Sequence, residues 1–151
     1  MFRLFYVTMK ISRDMDEYKV GMKNEFSRKF TREETKKMGM LIGDHNPFHF
    51  DEEFIKKTKY DKPIVHGLLV AGMISHFGAD IFPGPGLLAE SMKFKFLKPV
   101  FVGEEIRAVA EVVKVDREGN RVTFSMNCFN EKGEMVLEGE AVGIPFKFDA
   151  K

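Results

Sequence analysis

The sequence predicts an α+β fold in which an antiparallel sheet wraps one long apolar helix. Three observations predict it. The segment "PIVHGLLVAGMISHFGAD" (63–80) is apolar on nearly every face, which at this length marks a buried central helix rather than a membrane span. The C-terminal half then alternates apolar and polar residues, the period of half-buried strands. Finally, "REGN" (117–120) and "NEKGE" (130–134) are hairpin-type turns, the tight link that antiparallel neighbours allow.

Taken in order, residues 1–21 read as an N-terminal arm or extra strand ending in the polar joint "SRDMDEYKVG" (12–21), and 22–151 as a single domain. Residues 22–30 form a strand. Thr31 and Glu34 make a capping box, in which each residue satisfies an otherwise unpaired backbone N–H of the helix start. The helix "REETKKMGMLIG" follows and ends at Gly43, and "DEEFIKKT" (51–58) is a short charged helix. Pro63 stands at the entrance of the central helix. Gly67, Gly72 and Gly78 inside it lower helix propensity but permit close packing against something flat.

Among the strands, "SMKFKFLKPV" sets Met92, Phe94 and Phe96 on one side and Lys93 and Lys95 on the other. "EEIRAVAEVVKV" gathers Ile106, Ala108, Ala110 and Val112 on one face, and "RVTFSMNCF" turns Val122, Phe124, Met126 and Cys128 inward. "EMVLEGEAVGIPF" makes the last strand.

Composition bounds the function. A chain of 151 residues, 44% hydrophobic and 31% charged, is an ordinary globular domain with a real core. A net charge of +1 offers no basic surplus for phosphate backbones, so no nucleic-acid partner is expected. The lone Cys128 excludes an internal disulfide framework and a cysteine-based zinc site, and suits a reducing cytoplasm. No run is long enough to span a bilayer, and no cleavage pattern follows the apolar "MFRLFYVTMKI", so no membrane association is expected.

The chemistry concentrates in "LIGDHNPFHFD" (41–51). His45 and His49 are four residues apart, a zinc-ligand spacing on a helix, but Pro47 between them opposes helical geometry and no third ligand stands out, so no metal is expected. A plain polar turn is the competing reading, with Asp44 capping and Asn46-Pro47 turning the chain. Against it stands the position of the stretch: a loop between helices, close in sequence to the entrance Pro63-Ile64-Val65-His66-Gly67.

"GDHNPFHFDEEF", then "YDKPIVHGLLVAGMIS", then "SMKFKFLKPVFVGEEI" resembles the MaoC-like, hydratase 2 group of (R)-specific enoyl-CoA hydratases, from about Phe30 to Ile144. The resemblance implies a hot-dog fold, a long helix inside a curled antiparallel sheet. It also implies Asp44 and His49 as the catalytic pair that holds and deprotonates a water, and the backbone N–H of Gly67 as the donor to the thioester oxygen. Ser75 would face the site from the central helix and orient Asp44 or the water. Asn46 would shape the loop, and His66 would serve as a structural or substrate-side residue. Reversible, cofactor-independent hydration of an enoyl-CoA, or of the acyl carrier protein thioester, follows from the resemblance, as does a homodimer. Lys93 and Lys95 are candidates for the CoA phosphates, while His76, Asp80 and Cys128 have structural roles. The rival functions are a hot-dog thioesterase and a non-catalytic acyl-CoA-binding or partner subunit.

Overall fold

The computed structural model describes residues 13–146. The first twelve residues, with most of the expected arm, lie outside the described residues.

Strand β1 (Lys23–Lys29) leads into helix α1 (Arg32–Ile42) through the expected capping box: Thr31 accepts from the Glu34 N–H, and the Glu34 carboxylate accepts from the Thr31 N–H. The helix ends at Gly43, whose φ of 73° is the left-handed conformation that glycine adopts without a Cβ clash. A single helical turn at Pro47–His49 and helix α2 (Glu52–Ile55) follow.

The central helix α3 runs Gly67–His76, shorter than the sequence suggests, and continues as one wide π-helical turn, Phe77–Ile81. Its start is displaced from Pro63 because sheet-like bonds take the preceding residues. The Val65 N–H donates to Val100 O at 2.7 Å, the Val102 N–H donates to Pro63 O at 3.1 Å, and Ile64 forms a bridge with Phe101.

Strands β2 (Leu87–Phe96), β3 (Glu105–Asp116), β4 (Arg121–Phe129) and β5 (Met135–Pro145) complete one antiparallel sheet of order β1-β3-β4-β5-β2. The turns fall where their sequences place them, with left-handed backbone at Asn120 and Gly133. Register matches small residues to large ones across the central pair: Ala108 opposite Cys128, Ala110 opposite Met126, Val112 opposite Phe124. These side chains are buried in one core with Val70, Met73 and Ile74 of α3 and Phe77 of the turn that continues it. Each fully buried Val or Phe in such a layer contributes about 1.5–3 kcal/mol.

Three details depart from the sequence reading. First, only one side of α3 is covered. Leu68 stays 45% exposed, and Gly72 and Ser75 are exposed as well. Second, nothing lies within 4 Å of a Cβ built on Gly72 or Gly78, so those glycines are not close-packing sites within the chain. Close approach of helix to sheet occurs instead at Gly139, where a Cβ would stand 2.9 Å from Ile74 Cδ1. Third, the polar joint contributes to the core: Met15 and Tyr18 are buried, and Tyr18 packs edge-on against Phe124. Met92, Phe94 and Phe96 do share a face, but they remain partly exposed because β2 is an edge strand.

Candidate active site

Helix α1 ends where the polar loop begins, and that junction is held tightly. The Asp44 N–H donates to Gly39 O at 2.9 Å. Phe50 folds back onto the same helix turn, where a Cβ on Gly39 would meet its Cζ at 2.3 Å. Only glycine leaves room for the loop to lie against α1.

Inside the loop, Asn46 does what its position suggests. Its N–H donates to Asp44 Oδ1 at 3.0 Å, and its own Oδ1 accepts from the Phe48 N–H at 3.3 Å. Pro47 then opens the helical turn that carries His49, with φ pre-set for that role. A strand-like bond from the Ile64 N–H to Phe48 O, 3.0 Å, ties the loop to the segment entering α3.

That segment also orients the histidine. His49 Nδ1 lies 2.8 Å from Ile64 O. A carbonyl oxygen only accepts, so Nδ1 donates to it, and Nε2 is the nitrogen left available for chemistry. Asp44 stays half-exposed, and its carboxyl is held below the usual aspartate range, first by the Asn46 N–H and then by His66 and His49. A carboxylate held low is ionised and accepts hydrogen bonds; it is a weak base.

His66, at the N-cap of α3, is the residue that the sequence reading undervalued. It is 5% exposed, its Nε2 lies 2.8 Å from Asp44 Oδ2, and its ring stacks on His49 with centroids 4.4 Å apart and planes 29° apart. The contact is close without being a directed hydrogen bond, because neither ring nitrogen of His66 has an aligned partner among the described residues. Nothing in "PIVHG" signals that this histidine would return to a loop twenty residues earlier in the chain.

One ligand atom each from Asp44, His49 and His66 lies within 4.8 Å of the other two, so a third potential metal ligand does exist where the sequence offered none. The 2.8 Å separation of His66 Nε2 from Asp44 Oδ2 is shorter than the roughly 3.3 Å between two ligands on one tetrahedral zinc. As built, the trio is a carboxylate facing an imidazole rather than an open coordination shell.

Gly67 is the first residue of α3, and no acceptor takes its N–H among the described residues. Such first-turn donors have no intrahelical partner and carry the positive end of the helix dipole. A Cβ at Gly67 would stand 3.0 Å from the Phe96 ring, so glycine also keeps this donor uncovered. His49 and Gly67 line one cavity of about 340 Å³, otherwise mostly apolar, with Val70, Phe96 and Val136 in its wall and Tyr60 and Lys98 at its polar side.

Ser75 does not join this group within the chain. It lines a second cavity of about 110 Å³ with Gly78, Met92, Phe124 and Ala141, farther along α3. His45 is exposed, His76 is exposed and pairs with Asp80 at 3.0 Å, and Cys128 is buried. Lys93 and Lys95 sit opposite Glu140 and Glu138 in the β2–β5 register, on the sheet's outer face. Among the described residues no helix is long and apolar enough to cross a membrane.

The "MaoC like domain" signature matches residues 16–130. The chain is 34% identical over 123 residues to the (R)-specific enoyl-CoA hydratase of Aeromonas caviae, covering 82% of this chain and 92% of that protein. It is 33% identical over 129 residues to a mitochondrial 3-hydroxyacyl-[acyl-carrier-protein] dehydratase of Arabidopsis thaliana, covering 83% and 76%. The solved (R)-hydratase from A. caviae, described as involved in PHA biosynthesis, superposes with a TM-score of 0.82 at 33% identity, over 85% of this chain and 97% of that one. The five-stranded sheet with its central helix is therefore a hot-dog fold. With the signature spanning most of the chain and relatives alike over most of their length, the protein belongs to the MaoC-like family of hydro-lyases.

Proposed function

We propose that the protein catalyses the reversible hydration of a trans-2-enoyl-CoA to the (R)-3-hydroxyacyl-CoA, with Asp44, His49 and Gly67 as the reacting site. One observation carries this: a histidine with its basic nitrogen free stands beside an ionised aspartate and shares a cavity with an unpaired helix N-terminal N–H. Asp44 accepts a hydrogen bond from a water and aims it. His49 Nε2 takes a proton from that water as its oxygen bonds to C3. The C2–C3 π electrons shift toward the thioester carbonyl, whose oxygen gains negative charge facing the Gly67 N–H. The proton then returns from His49 to C2 on the same face. One C–O and one C–H bond form as one π bond and one O–H bond of water break, so the reaction is redox-neutral and needs no cofactor.

The residue types suit this division of labour. Water is a poor nucleophile near neutral pH, and imidazole is a base matched to that pH. A fixed donor where charge develops is often the largest single catalytic term, about 3 kcal/mol for one hydrogen bond. The curated relatives' names support both directions and both carriers, hydratase on CoA and dehydratase on acyl carrier protein.

In this reading a second copy of the chain pairs with strand β2. That strand is a sheet edge, it exposes Met92, Phe94 and Phe96, and the uncovered side of α3 carries Leu68, Gly72 and Ser75. Edge strands of this kind are rarely left open. A cytoplasmic location suits the single buried thiol.

Incubation with crotonyl-CoA tests the activity. Loss of the conjugated enoyl-thioester absorbance without release of CoA thiol is the expected result. Thiol release would indicate a thioesterase, and no change with either the CoA or the acyl carrier protein thioester would indicate a binding protein.

A further inference from the structure

His66 is buried, yet nothing in its contacts resembles core packing. Its polar edge faces Asp44 and its flat face covers His49. As N-cap of α3 it makes no side-chain capping bond, so the imidazole is free of the usual duty of that position and turns toward the loop instead. Asp44 Oδ1 is already taken by the Asn46 N–H, which leaves Oδ2, the oxygen that His66 approaches, as the one able to swing. His49 is pinned at Nδ1 by Ile64 O but can still tilt about that bond, and the stacked His66 ring blocks the tilt on one side.

We propose that His66 is a positioning residue that holds Asp44 and His49 as one unit, its Nε2–H edge attracting Asp44 Oδ2 by charge at close range without an aligned hydrogen bond, and its ring backing His49. The inference rests on Asp44 and His49 being the reacting pair. The tautomer follows from charge: a ring nitrogen 2.8 Å from a carboxylate oxygen carries the proton, since a lone pair there would repel it. An imidazole is what both contacts require. Phenylalanine supplies the flat face without the donor, and glutamine supplies a donor near the Nε2 position without the flat face.

Those two substitutions form the test, with kcat and KM measured on crotonyl-CoA and thermal melts alongside. His66→Phe is expected to melt near the wild-type temperature while kcat falls about 10- to 100-fold with KM little changed, the scale of a modest misplacement of reacting groups. His66→Gln should recover part of kcat.

Loss of activity that tracks the melting temperature, with His66→Gln no better than His66→Phe, would overturn the proposal in favour of plain packing. Asp44→Asn in the same assay separates the two levels. If it is inactive while His66→Phe is fully active, only the His66 role fails; if it is active, the reacting-pair reading fails first. Should the variants not fold, nitrogen-detected NMR of wild-type histidines decides: an Nε2–H tautomer for His66 that responds to Asp44→Asn supports the proposal, and an Nδ1–H tautomer refutes it.

Discussion

Gly39→Ala tests whether the scaffold aims the site, because this residue touches the loop and no proposed substrate. The added methyl would stand 2.3 Å from Phe50 Cζ and 2.6 Å from the Asp44 carbonyl oxygen, both inside the 3.0 Å that Cβ contacts keep. The phenyl tip can swing away. The Asp44 carbonyl cannot, because the same residue's N–H is bonded to Gly39 O at 2.9 Å. Relief therefore means moving the Asp44 backbone outward by about 0.4 Å or more, an overpacking distortion of the kind that costs about 1–3 kcal/mol. Part is offset by alanine's better helix propensity, about 1 kcal/mol. The melting temperature should drop by up to roughly 8 °C, at about 2–4 °C per kcal/mol for a chain of this size. Activity should fall more than stability alone explains, by about 10-fold or more, since sub-ångström errors in placing a reacting group are amplified in the rate. The assay is crotonyl-CoA hydration well below the melting temperature, with Lys37→Ala, an exposed site on the same helix, as control. A Gly39→Ala protein with wild-type melt and wild-type kcat/KM would refute the argument that this glycine sets the loop.

Other outcomes follow from the same geometry. Asp44→Asn and His49→Ala should each lower kcat/KM by about 10²–10⁴, and the double mutant little further, because in the proposed mechanism both serve one water in one step; kinetics of all three with melts would show additivity if they act separately. The Glu34 carboxyl is held below its usual range, first by the Thr31 N–H, so its folded-state pKa is depressed. Its contribution is therefore present above the ordinary carboxylate pKa and lost as pH falls through and below it, and Glu34→Gln should reduce the acid sensitivity of the melting temperature there. Burial pushes the Cys128 thiol up to about 12, so an aromatic disulfide reagent at neutral pH should label it only on unfolding. Met92→Glu on the exposed face of β2 should shift sedimentation from dimer to monomer and lower activity; an unchanged species would send the pairing elsewhere.

Elements with a local cause could be read directly from neighbouring residues. The Thr31–Glu34 box, the Gly43 stop, the two hairpins and the inward faces of β3 and β4 all arise from residues within a few positions of one another, where spacing and backbone preference speak directly. The Asp44–Asn46–His49 part of the candidate site was legible for the same reason, because one short loop holds it. Tertiary structure decided the rest. Pro63 to Val65 look like the start of a helix until Val100 and Val102 take their backbone bonds, and that partner lies more than thirty residues away. Gly72 and Gly78 read as packing sites, whereas the sheet's Gly139 is where helix and sheet meet. The uncovered side of α3 cannot be read from an all-apolar segment, since hydrophobicity says that a face seeks cover and not which surface provides it. His66 is the clearest case. Its distance from Asp44 along the chain carries no geometric meaning until the strand-like bond between Phe48 and Ile64 closes the loop, and only then do a buried imidazole and an ionised carboxylate come face to face.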